Sequence, residues 1–527
     1  MNKKIQNTCI LLIALVLLNV LNQSFYKRFD LTKDQRYTLS ETTKTIVQQI
    51  AQPLVIKVYL KGDFPSEFKR LQIETLQYLE ELTAENANIN SQFINPDLQR
   101  ESLIKKGMLP SQLTVEEDGK LSEAIIFPWA EIKYKNKSTI VSLLPTAIVS
   151  SQEEQLQKAV ENLEYSFTNA MHSILTEAQQ KIALLSGNGE LEDIYLYRFL
   201  SEIAKKHKLA KFTLDSVAKN PKQTLKELTE FDMAIIAKPT TAFTAAEKFT
   251  LDQFITNGGK MLAYPRNLNL TDLLFSYGVR INTTLVKDLY AAKIPVATGM
   301  VGNQTQFKNL EWFFHPLAGG NPNHPITKNI LPVRFQFTNQ IDTLKNNIKK
   351  TPLLVSSVLT QKFGTPNFIS LQSIADEPIE EDYQIGNQLL AVLLEGNFNS
   401  AYRNRIQPFE TPLYKANAVG GNKMIVISDG DVGKNQILKN EPFDLSIDKW
   451  TNEQFGNKDF LLNAVDYLLD DVGLMKLRNK SLQISILDKQ KAFKERRYWQ
   501  FINLGIPMIM LLVFGIGFHG LRKLKYQ

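Results

Sequence analysis

Ten residues, Lys181-Ile-Ala-Leu-Leu-Ser-Gly-Asn-Gly-Glu190, restrict the fold of this chain more than any other stretch. Four consecutive apolar residues followed by serine, glycine and asparagine predict a buried strand ending in a tight loop. Over residues 193–206, Ile194, Leu196, Tyr197, Leu200, Ile203 and Ala204 then recur at helical spacing. Strand, glycine loop and helix form the opening unit of a doubly wound α/β sheet, whose ligands lie at the carboxyl ends of the strands. Ser186, Gly187, Asn188, Gly189 and Glu190 are therefore the first candidates for a ligand- or partner-binding loop.

The rest of this region repeats the theme. Strands are expected at 212–217, 232–237 and 260–264, with a helix over 244–257 stopped by Gly258-Gly259. Residues 266–420 are rich in Asn, Pro and Gly and read as a long insertion. Lys423-Met-Ile-Val-Ile-Ser-Asp-Gly-Asp431 restores the strand-plus-turn pattern, and 459–469 reads as an amphipathic helix. Strands alternating with helices predict a parallel sheet.

Upstream, residues 25–150 read as a smaller α/β domain. It comprises a helix at 41–50 capped by Ser40, a strand at 54–60, a helix at 66–86, a strand at 89–94 and a short helix at 97–106. Residues 123–129 and 131–144 alternate like a hairpin with Asn136 in its turn region. A thioredoxin-like arrangement fits this order, but no Cys-x-x-Cys is present, which excludes dithiol redox chemistry. A polar helix within 151–180 connects the smaller domain to the larger one at 181–480.

Both ends are apolar. Residues 5–21 carry no charge and follow Lys3 and Lys4, with no small-x-small cleavage site after them, which predicts an uncleaved signal anchor. Residues 499–518 are also uncharged, between a basic stalk at 481–498 and Arg522, Lys523 and Lys525, with Trp499 at the border. Two spans put both termini on one side, expected to be cytoplasmic, and the large domain in the periplasm. The whole chain carries +7, residues 1–28 contribute +4 and residues 489–527 contribute +7, so the body between them is −4. The basic balance thus belongs to the membrane-flanking ends, and a nucleic-acid footprint is not expected. The single cysteine, Cys9, lies in the first span, so the body has neither disulfides nor a thiol nucleophile.

The chemistry-bearing motifs are few. The Gly-Lys pairs at 119, 259 and 433 are followed by Leu, Met and Asn, so no phosphate loop exists and any ATP hydrolysis must come from a partner. Ser186 and Ser428 fall near strand ends, but neither lies in Gly-x-Ser-x-Gly. Asp429 and Asp431 flank a turn glycine and form a second binding candidate; two carboxylates alone are a poor cation site. His315 and His324 sit in a proline-rich loop without a cysteine, a poor zinc pattern. No metal or other cofactor is expected. Glu190 sets an acid at the positive end of the following helix, which favours a plain strand-to-helix turn over an anion cradle.

Four motifs occur in one order: F-D-L-T-K-D-Q-R-Y-T-L-S at 29–40, the K-I-A-L-L-S-G-N-G-E loop, L-L-F-S-Y-G-V-R-I-N-T-T-L-V-K-D at 273–288 and G-N-K-D-F-L-L-N-A-V-D-Y-L at 456–468. With the two terminal spans they resemble the GldG family, gliding-motility-associated ABC-transporter auxiliary proteins, over nearly the whole chain. The resemblance implies a membrane-anchored, non-catalytic subunit working with a separate permease and ATPase, in gliding and associated protein secretion. It also implies an amidotransferase-like (Rossmann-like) middle domain used for binding. Two other classes stay open: a solute-binding protein with its pocket at the strand ends, and an envelope hydrolase using Ser186, Glu190, Asp429 or Asp431.

Overall fold

A computed structural model describes residues 30, 32, 38–62, 66–117, 120–144, 152–176, 179–265, 270–418, 420–480 and 489–526. The expected N-terminal span at 5–21 and the first half of the basic stalk, 481–488, lie outside them. The chain divides into two compact units, Met1–Ser481 and Leu482–Gln527.

In the first part of the larger unit, Ser40 accepts a hydrogen bond from the Thr43 N–H and caps the helix Glu41–Gln48. The strands that follow are β1 (Leu54–Val58), β2 (Ile89–Phe93), the hairpin β3–β4 (Ser111–Glu117, Lys120–Ile126) and the hairpin β5–β6 (Trp129–Tyr134, Lys137–Ser142). The order β2-β1-β5-β6 makes a mixed four-stranded sheet, with β1 parallel to β2 and antiparallel to β5. The hairpin expected across 123–144 is two hairpins: residues up to Ile126 pair back with β3, and the turn at Lys135-Asn136 joins β5 to β6. Pro128, which lacks an N–H for a ladder bond, separates them. Leu54, Ile56 and Val58 are fully buried in β1, while helix Ser66–Glu85 packs on β2 and helix Gln152–Leu175 on β5 and β6.

Apart from a small two-stranded hairpin at Ile437–Leu438 and Glu441–Pro442, the further strands are β7 (Lys181–Ser186), β8 (Lys208–Thr213), β9 (Met233–Ala237), β10 (Lys260–Tyr264), β11 (Val279–Asp288), β12 (Ala291–Val301) and β13 (Gln304–Gly320). After them come β14 (Val333–Arg334), β15 (Asn339–Thr343), β16 (Lys349–Val355), β17 (Thr360–Phe363), β18 (Leu389–Gly396) and β19 (Asn422–Ile427). The main sheet runs β12-β13-β16-β18-β19-β10-β9-β7-β8, with β14 alongside β13. From β19 to β8 all neighbours are parallel; from β19 to β12 all are antiparallel. β15, β11 and β17 form a separate three-stranded antiparallel sheet.

Two expectations are corrected here. The sheet is mixed rather than parallel: β16 and β18, within the stretch read as an insertion, extend it directly from β19. The strand expected at 212–217 is β8 at 208–213, followed by a 3-10 turn Leu214–Ala218. Leu214 and Val217 are buried three residues apart, a helical spacing, and Thr213 caps the turn by accepting from the Asp215 N–H at 3.3 Å.

The central strands are apolar on both faces because both are covered. In β9 all five residues are buried, with Met233 and Ile235 facing the core beneath helices Asp193–Ala204 and Asn457–Leu469. Ala234 and Ile236 face the opposite core, under Ala245–Thr256 and Thr271–Ser276.

In the smaller unit, a short helix Lys489–Lys494 precedes the helix Arg496–Tyr526, of which Arg496–Lys523 is long and apolar enough to cross a membrane and has none of its length buried. Pro507 lies inside it.

Candidate functional site

In an open α/β sheet the ligand crevice opens where the strand order reverses. Here the chain leaves β7 to form β8 on one side, then crosses to form β9 on the other. The crevice therefore lies between the loops after β7 and β9, and the candidate loop 186–190 forms one wall of it.

That crevice is filled by the chain itself. The Asn188 carbonyl accepts from the N–H groups of both Thr240 and Thr241 at 2.8 Å, the Thr240 hydroxyl donates to the Gly189 carbonyl at 2.8 Å, and the Leu191 N–H donates to the Ala237 carbonyl at 3.0 Å. Gly189 is required by this closeness: its φ is +68 and a Cβ on it would stand 2.1 Å from the Thr240 hydroxyl oxygen, while Gly187, at φ +114, faces Asp215 and Thr213 instead.

Asn188 and Glu190 turn inward. Glu190 accepts from the Asn188 N–H at 2.8 Å, and the Asn188 amide donates to Glu247 at 3.2 Å. Glu247 also accepts from the Thr244 N–H at 2.8 Å, as the capping box of helix Ala245–Thr256. Burial raises the Glu190 pKa, the N–H groups of Glu190 and Asn188 oppose the shift, and Asp215 and Glu247 add to it. One oxygen of Glu190 and the amide oxygen of Asn188, a residue 3% exposed, are buried without a hydrogen-bond partner among the described residues. A carboxylate thus holds the loop N–H that an anion would need.

The second candidate pair stands beyond β9 and β10, after β19. Lys238, at φ +50 after β9, reaches across β10 and donates to both oxygens of Asp431 at 2.5 and 2.6 Å. Asp429 accepts from the Gln336 N–H at 2.6 Å and the Asp431 N–H at 2.8 Å. The structure does not bring Asp429 and Asp431 to the loop 186–190; the β9 loop stands between, bonded to Asp431 through Lys238 and to Asn188 through Thr240 and Thr241. Among the described residues no group of three or more His, Cys, Asp or Glu side chains is placed to hold a metal ion.

The other candidates are also engaged locally. Ser186 donates to the Phe212 carbonyl at 3.3 Å, and Ser428 donates to the Leu390 carbonyl at 2.9 Å and shares a 2.8 Å bond with Thr338. Among the described residues neither serine is hydrogen-bonded to a histidine. His315 packs edge-on to Phe337 and His324 against Tyr467, and burial pushes both pKa values down to about 4, so each is a neutral packing group at pH 7. The residues that organise this edge and that the sequence did not single out are Lys238, Thr240, Thr241 and Glu247.

Residues 179–464 match the family described as an ABC-type uncharacterized transport system, and residues 33–133 match a domain of unknown function, DUF7088. No curated protein matches the chain. Among solved structures, the N-terminal domain of mmIFT52 aligns at 14% identity over 55% of this chain and 98% of its own, with a TM-score of 0.33. A ThuA-like protein from Parabacteroides merdae aligns at 9% identity over 59% and 94%, TM-score 0.28. Alpha-L-fucosidase isoenzyme 2 from Paenibacillus thiaminolyticus aligns at 13% over 61% and 37%, TM-score 0.26. At these scores the three likenesses carry no argument. The family match spans more than half of the sequence, and the chain belongs to the ABC-type transport-system auxiliary family.

Proposed function

We propose that this chain is the membrane-anchored, non-catalytic accessory subunit of an ABC-type complex whose permease and ATPase are separate chains, serving gliding motility and associated protein secretion. The observation that carries the reading is the family match across residues 179–464. The exposed apolar helix Arg496–Lys523 supports an anchor in the inner membrane beside the permease. The absence of a phosphate-loop sequence supports a separate ATPase. In this reading residues 5–21 form a second span, both termini are cytoplasmic and the body is periplasmic. Its amidotransferase-like half acts as a scaffold that contacts an envelope protein. Any contact at the strand ends falls on the exposed Gly187 and Gly189 rather than on the inward-facing Asn188 and Glu190.

The test is purification from the native membrane in mild detergent. Co-purification of an ATPase and a permease, lost when 496–526 is deleted, is the expected result. A chain that runs alone, while its soluble body cleaves an envelope substrate in a Glu190- or Asp429-dependent way, would establish the hydrolase class instead. A reporter fused after Gln527 should be active only in the cytoplasm.

A further inference from the structure

Away from the strand ends, a cavity of about 160 Å³ opens between helix Gln152–Leu175, the segment 328–330, helix Asn457–Leu469 and the turn Leu474–Asn479. At roughly 30 Å³ per water it exceeds a single hydration site, and it falls below the roughly 300 Å³ at which drug-sized pockets begin. Its scale suits a very small solute.

The lining is charged but incompletely matched. Lys158 pairs with Glu154 at 2.7 Å and Lys328 with Glu161 at 3.7 Å. Arg478 forms no ion pair among the described residues: its Nη2 donates to the Lys328 carbonyl at 3.2 Å, and its Nη1 is buried without a partner. The Tyr165 ring, 5.5 Å from the guanidinium carbon, backs it and fixes its plane. Asp459 lines the same cavity and makes no hydrogen bond or ion pair among the described residues. A guanidinium and a carboxylate thus face one small space. They attract across it, as Lys458 also attracts the acid, but no hydrogen bond or ion pair joins them among the described residues. Each is costly to leave without a direct partner in a partly buried setting.

We propose that this cavity binds a small zwitterion, an α-amino acid of about the size of glycine or alanine, with its carboxylate on Arg478 and its ammonium on Asp459. A planar guanidinium suits a carboxylate, and the ligand would supply an acceptor for the orphan Nη1 of Arg478 and a donor for the carboxylate of Asp459. The proposal does not rest on the transport reading. Binding is measured on the isolated chain, so its failure would leave that reading intact.

Free glycine titrated into the full-length protein in detergent, followed by saturation-transfer NMR, should bind saturably. Arg478→Gln and Asp459→Asn should each weaken binding at least about tenfold, which is about 1.4 kcal/mol. Acetate and methylamine, each with half of the chemistry, should bind at least about tenfold more weakly than glycine. Asp459→Asn is isosteric and carries the test if Arg478→Gln fails to fold. No saturable glycine binding up to about 10 mM, or binding that Asp459→Asn leaves unchanged, would overturn the proposal. Acetate binding as tight as that of glycine would reduce the site to a bare anion cradle and overturn it equally.

Discussion

Replacing Glu164 by alanine tests how the two ends of the larger unit are held together. Glu164 lies on helix Gln152–Leu175 with its side chain 6% exposed. One oxygen accepts from the Ser40 N–H and the Thr43 hydroxyl, both at 2.8 Å; the other accepts from the Lys480 ammonium at 2.9 Å. Lys480 also donates to the Thr38 carbonyl at 3.1 Å. A single carboxylate thus joins the start of the helix Glu41–Gln48 to the last described residue of the unit. Breaking a buried, hydrogen-bonded ion pair costs about 3–5 kcal/mol. Lys480 is 23% exposed and can turn toward water, which places Glu164→Ala nearer about 2–4 kcal/mol.

The assay is the denaturant midpoint of the full chain in detergent, read by tryptophan fluorescence, in a double-mutant cycle with Lys480→Met. A coupling of about 1–3 kcal/mol is expected for groups in direct contact. Coupling below about 0.5 kcal/mol would refute the reasoning, since that is the level of independent sites. The pH dependence gives a second reading. Burial pushes the Glu164 pKa up, but Lys480, the Ser40 N–H and the Thr43 hydroxyl outweigh it and hold it below the usual value. A carboxyl depressed on folding contributes stability above its unfolded pKa, about 4.3, and that contribution is lost as pH falls through the folded value. The difference between wild type and Glu164→Ala should therefore shrink in acid.

Three further outcomes are expected. Glu190→Gln should leave stability unchanged or raised at pH 7, because a carboxyl whose pKa is raised on folding is penalised once ionised; the gain should vanish as pH falls through the glutamate range, and a loss at pH 7 would sink this. Gly189→Ala should lower the unfolding midpoint by at least about 1–2 kcal/mol, from its left-handed φ and the Thr240 contact; an unchanged midpoint would mean that the loop relaxes freely. Ile236→Ala, in a strand buried on both faces, should cost about 2–5 kcal/mol in the same assay, and under about 1 kcal/mol would contradict the packing.

What the sequence made legible was local. The apolar runs of β7, β9 and β10, the helix over 244–257 and its Gly258-Gly259 stop follow from residue type and spacing alone, and all appear where expected. β18 was missed although Leu389-Leu-Ala-Val-Leu-Leu394 is as apolar as β9, because the Asn- and Pro-rich segments around it set the reading of the whole stretch. β8 was displaced by four residues because an edge strand, Lys208-Leu-Ala-Lys-Phe-Thr213, carries little apolar signal, while the capped turn after it does. The tie from Glu164 to Lys480 spans 316 positions and leaves no periodic trace.

The candidate loop shows the same limit in its chemistry. Two glycines and a helix start suggest an open cradle, but whether a cradle is open depends on what faces it, here Thr240, Thr241 and Glu247 from the next crossover. For an anion to use the Asn188 N–H it must displace the Glu190 carboxylate, which lies beside Asp215 and Glu247. The incoming anion would add a further negative charge to a setting that already holds Glu190, Asp215 and Glu247, so anion binding there is opposed twice: by the lost hydrogen bond and by like charge. A solute-binding role at the switch point would require the β9 loop to withdraw first. With its contacts intact, that edge is better suited to hold the scaffold in one shape than to receive a ligand.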